Sequence, residues 1–180
     1  TLGEMLGCRI STGNYTTPTF GVVPRMVIWG LLGMAISMAM TVFAAGIPAF
    51  IKGMGGEALV AEFATEGLSW GKFIVALSIS VMMNTFFAPV FMTFHKITDA
   101  HIAENGGSLK ALITPIDMRR QITSLNWDRQ WSFIFKKTIP LFWYPAHTIT
   151  FMLPGELRVL FAALLGVALG VILAIGARKK

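Results

Sequence analysis

Asn84 and Thr85 stand in the middle of an otherwise apolar run, and Ala76, Ser80, Asn84 and Ala88 recur every four residues along one helical face. An amide at that depth in hydrocarbon is costly unless it is paired or wetted. Two readings follow with equal weight: the face lines a water-filled path for a polar solute, or it hydrogen-bonds to a neighbouring helix. His147, Thr148 and Thr150 come just after Pro145, where a broken helix would free carbonyl oxygens that need partners. The imidazole is then either a functional titratable group or a neutral ring satisfied by a backbone carbonyl. Pro89, as a kink, and Arg158, at a span boundary, complete the polar-path candidates. His95 and Asp99 are four residues apart and would share a helix face, with His101 as a third metal ligand. His101 lies about 200° further round a helix from Asp99, so a local His–Asp contact is expected and no metal site is assigned. Lys136 and Lys137, with Arg119 and Arg120, are candidates for anions or acidic lipid headgroups, the simpler role being to set topology. There is no GxSxG, no HExxH, no phosphate-cradling glycine loop and no acid within a span. These absences argue against an enzyme, a proton-driven carrier and a bound cofactor.

Apolar segments long enough to cross a bilayer must position these groups. Residues 24–51 form one, 72–95 a second with Pro89 inside it, and 157–177 the most regular. A helix needs about 20 such residues for a hydrocarbon core of about 30 Å. Residues 131–153 read as a shorter, broken span carrying Pro140 and Pro145. Within the connection 95–130, Thr114-Pro115-Ile116-Asp117 reads as an N-cap, a proline at the first helical position and a capping acid. Met118, Ile122 and Leu125 beside Arg119 and Arg120 make the following helix amphipathic, as at a membrane surface. Small residues recur as Gly33, Ser37, Thr41 and Ala45 in the first span, and as Ala162, Gly166, Gly170 and Ala174 in the last. Such faces admit close helix approach. Packing within the chain is the first expectation, and contact with a second copy or another membrane protein is the alternative.

Composition agrees: 54% of the 180 residues are hydrophobic and 13% charged, with a mean hydropathy of +0.66. An ordinary soluble domain is about a quarter charged. The expectation is an all-α, polytopic transmembrane helix bundle, one membrane domain over 1–180, with four spans and an interfacial helix. The net charge of +6 lies between the spans and not along one polar face, so nucleic acid is not an expected partner. Twelve basic residues would face one side and only Lys52, Lys72 and Arg158 the other. This places both termini and the long connection in the cytoplasm. Cys8 stands alone and carries no disulfide or metal signal.

Asn126-Trp127, Phe142-Trp143-Tyr144-Pro145-Ala146, Phe151-Met152-Leu153-Pro154 and Arg158-Val159 follow one another in the C-terminal half. In this order they resemble the C-terminal signature of the Mpv-seventeen and twenty-two-kilodalton peroxisomal membrane protein family. Phe87-Ala88-Pro89 resembles a segment of that family's central helix, and Gly3-Glu4-Met5-Leu6 the Gly-Asp closing its first helix. A Tyr separates Trp143 from Pro145, and the family's Gln-x-x-Asn-Phe segment is absent around His147–Phe151, so the resemblance is to a divergent member, a prokaryotic one being among the alternatives. It implies a small channel-like membrane protein and a fifth span ending at Leu2–Leu6, most of it ahead of Thr1. The implied setting is a mitochondrial inner or peroxisomal membrane, or the cell membrane for a prokaryotic relative. The expected function is passage of small polar solutes, with a non-catalytic scaffold subunit as the alternative.

Overall fold

The computed structural model describes residues 1–178, and Lys179 and Lys180 of the basic C-terminal cluster lie outside them. The structure is 82% helix, with no strand among the described residues. The elements are α1 (Leu2–Thr12), α2 (Val22–Gly53), α3 (Glu57–Phe63), α4 (Trp70–Glu104), a 3-10 turn (Leu109–Leu112), α5 (Met118–Ser124) and α6 (Trp127–Arg129). A π-helical stretch (Gln130–Trp143), α7 (Tyr144–Met152) and α8 (Gly155–Arg178) complete the chain. Three stretches are long and apolar enough to cross a membrane: Val22–Gly53, Trp70–Glu104 and Gly155–Ile172. Their outward faces carry large apolar side chains, among them Met34, Met38, Val42, Phe86, Val90, Leu160 and Leu164. Those residues would be a liability in water and are ordinary in lipid.

Several boundaries differ from the sequence expectation. α4 continues through His95 to Glu104 because no proline or glycine interrupts the polar residues that follow the apolar run. It stops at Gly106 and Gly107, whose φ values of +66° and +69° favour residues without a Cβ. The connection between α2 and α4 contains the short helix α3. Thr114 is not an N-cap: its hydroxyl donates back to the Lys110 carbonyl, and Asp117 caps α5 by accepting from the Arg120 N–H at 2.9 Å. α5 is only two turns long, with Gln121 buried while Met118 and Ile122 are exposed. Pro89 sits inside a continuous α4. Pro145 occupies the first turn of α7, and its missing N–H falls where the helix changes from π to α.

The chain divides into two compact units. The first comprises residues 1–33, 93–125 and 163–180. In it α1 meets α8 through two small-xxx-small pairs, Gly3 and Gly7 against Gly166 and Gly170. A Cβ on Gly170 would lie 2.6 Å from the Gly3 carbonyl oxygen, and one on Gly7 would lie 3.3 Å from that of Gly170. At Gly3 and Gly170 a Cβ would run into the facing backbone, at 2.9 and 2.6 Å. The second unit comprises residues 34–92 and 126–162. Its core is Met40 of α2, Val75, Ala76, Ile79 and Met83 of α4, and Phe151 of α7, with Ala162 packed at its edge.

Candidate functional site

The second unit holds the polar side chains that lie within apolar helices. α4 places Ser80 and Asn84 one turn apart on its buried face, and α7 brings His147, Thr148 and Thr150 to the interior. Asn84 is 2% exposed and His147 8%. The Asn84 Nδ2 donates to the Ser80 carbonyl at 2.8 Å and lies 2.9 Å from His147 Nδ1, to which it donates when that nitrogen is bare. The Ser80 and Thr148 hydroxyls both donate to the Tyr144 carbonyl at 2.7 Å. Thr150 donates to the Ala146 carbonyl at 2.9 Å. Thr85 lies on the exposed side of α4, where its hydroxyl pairs with the Tyr144 phenol at 2.7 Å. The Trp143 ring stacks on His147 with centroids 4.9 Å apart, and its buried indole N–H finds no acceptor among the described residues.

These contacts form a seam between α4 and the start of α7 that runs from an exposed hydroxyl pair to a buried amide–imidazole pair. The Asn84 amide and the His147 Nδ1 pair directly in this arrangement. Tyr144 and Trp143 join the seam although polar-residue spacing did not single them out; their place beside Pro145 in an aromatic run was the available signal. Arg158 stands apart from the seam. Its Nε donates to the Leu153 carbonyl at 3.0 Å and its Nη2 to the Phe151 carbonyl at 3.1 Å, so it caps the C-terminal end of α7.

The first unit contains a charged cluster. Arg25 of α2 bonds both Glu4 of α1 and Asp99 of α4, and its Nε donates to the Phe20 carbonyl at 2.7 Å. The Trp29 indole donates to Glu4 Oε2 at 3.1 Å. His95 Nε2 lies 3.2 Å from Glu4 Oε1 and 3.6 Å from Asp99 Oδ2. Burial alone would raise the Glu4 carboxyl, but contact with His95 and then the Arg25 charge outweigh it, holding the group at about 2 instead of 4.5. Glu4, His95 and Asp99 offer ligand atoms within 4.8 Å of one another. Arg25 already bridges both carboxylates, and the Lys96 ammonium is 3.7 Å from Asp99, so two cations balance two anions and the cluster reads as an ion-pair lock. His101 takes no part: its Nε2 lies 3.1 Å from the Ala111 carbonyl.

The remaining sequence candidates are dispersed. Lys136, Lys137, Arg119 and Arg120 are exposed; Lys136 sits 5.7 Å over the Trp131 ring and Arg120 pairs with Glu104. A Cβ on Gly33 would meet nothing within 4 Å, and Ser37, Thr41 and Ala45 are exposed. Comparisons with protein-family models, characterised proteins and solved structures find no match.

Proposed function

We propose that this chain is a passive, channel-like membrane protein for small polar solutes, with the α4–α7 seam as the lining of the path. In this reading residues 131–153 make a fourth, broken crossing, α5 rests at the interface, and the termini face the cytoplasm. The observation that carries the reading is the seam itself: Ser80, Asn84, Tyr144 and His147 present hydrogen-bonding groups inside apolar helices, where such groups are retained at a cost. The unpaired Trp143 indole beside His147 supplies a donor for a solute or a water. Because Asn84 and His147 bond each other, passage requires that pair to part and exchange partners. The resemblance to a channel-like family supports the same reading.

A second reading, a non-catalytic subunit that packs against another membrane protein, is favoured by the outward face of Gly33, Ser37, Thr41 and Ala45. Swelling of proteoliposomes in small polyols separates the two. A channel gives swelling above protein-free vesicles that Gly33→Leu leaves intact. A packing subunit gives none, and Gly33→Leu instead releases a stoichiometric partner during purification in mild detergent.

A further inference from the structure

Beside the seam's unit core, α2 and the start of α8 enclose a groove of about 380 Å³, lined by Ser37, Thr41 and Ala45 of α2, Phe151 of α7, and Arg158 and Val159 of α8. All of it belongs to the second unit. The flanking α2 residues Met34, Met38 and Val42 are exposed and apolar, so the groove opens onto the surface that lipid covers. Its lining contains one cation and no acid.

The guanidinium has five N–H donors in a fixed fork. Two are spent on the Leu153 and Phe151 carbonyls, which pin the group in place. No carboxylate among the described residues lies within ion-pair distance of it. Glu156 acts on it electrostatically without pairing with it, and a preorganised fork with free donors matches a phosphate oxygen pair. Small α2 residues, Ser37, Thr41, Ala44 and Ala45, make up most of the groove's α2 side, with Met40 between them.

We infer that this groove is a binding site for a membrane phospholipid, with the phosphate on Arg158 and one acyl chain laid along Ser37, Thr41 and Ala45. The phosphate supplies a directly contacting anion and the chain fills apolar space that water would wet poorly. Exposed Val159 forms the wall against which the chain rests.

Native mass spectrometry of protein purified in mild detergent and then supplied with phosphatidylglycerol tests this, with diacylglycerol of the same chains as the phosphate-free control. The expected result is one phosphatidylglycerol per protomer and no retained diacylglycerol. Arg158→Gln lowers the bound fraction about fivefold, matching about 1 kcal/mol for a basic side chain near an anionic headgroup. Arg158 also caps α7, so Ala45→Phe is the companion variant: it fills the groove from a lipid-facing position, keeps the cap and the unfolding temperature, and lowers binding to the same extent. Equal retention of diacylglycerol, or unchanged binding in a folded Ala45→Phe, overturns the proposal. So does a lipid-free dimer that Ala45→Phe dissociates, since a second copy would then be the occupant.

Discussion

Removing His147 by the substitution His147→Leu tests whether the amide–imidazole pair couples α4 to α7. Asn84 is 2% exposed, with Nδ2 2.9 Å and Oδ1 3.1 Å from His147 Nδ1. Deleting one partner leaves the other unsatisfied in an apolar interior, which costs about 1–3 kcal/mol. Asn84→Leu strands His147 in the same way, with an added loss of the bond to the Ser80 carbonyl. The double variant strands neither group, so the single losses do not add. Interhelical hydrogen bonds in membranes are worth about 0.6 kcal/mol on average and up to about 1.7. The closeness and burial of this pair place its coupling toward the upper end, about 1–1.7 kcal/mol. Equilibrium unfolding in mixed detergent, run on all four proteins, measures it. Additivity within about 0.3 kcal/mol would refute the reasoning, because the two side chains would then not depend on one another.

The α1–α8 contact separates neighbours that sequence spacing treats alike. A Cβ on Gly170 would meet Gly3 backbone atoms at 2.6 and 2.8 Å, whereas one on Gly166 meets nothing within 4 Å. Gly170→Ala is therefore expected to be about 1–3 kcal/mol less stable than Gly166→Ala in the same unfolding assay, the cost of overpacking a close contact. Arg158→Gln, which frees two carbonyls at the end of α7, should destabilise by about 1.5–3 kcal/mol, and Arg158→Lys should not restore the loss because one ammonium cannot reproduce the fork. The Glu4 carboxyl, held at about 2 against a usual 4.5, contributes stability that is complete above pH 4.5 and lost as pH falls toward 2. The unfolding temperature should drop over that window, and Glu4→Gln should flatten the drop.

Hydropathy located α2 and α8 to within a few residues because unbroken apolar runs leave little choice. It placed the end of α4 nine residues early, since hydropathy registers where lipid contact stops and not where helical hydrogen bonding stops; Glu104 is the last residue before a glycine turn. The stretch around Pro140 was legible as irregular, but a π-helical path from Gln130 to Trp143 has no signature in residue spacing. Asn84 and His147 each stood out as polar groups in apolar surroundings. Their pairing across 63 residues did not, because periodicity speaks only about neighbours on one helix. The Glu4, Arg25 and Asp99 lock was missed for the same reason: His95 and Asp99 drew attention through their spacing, while the partners that satisfy them come from α1 and α2.

Solute flux through reconstituted protein tests the functional reading most directly. Proteoliposomes carrying the wild-type chain should admit small polyols faster than protein-free vesicles, and the folded Asn84→Leu/His147→Leu protein should return that rate to the protein-free level. Wild-type flux equal to that of empty vesicles, or a double variant that conducts as well as wild type, would contradict a path lined by this seam.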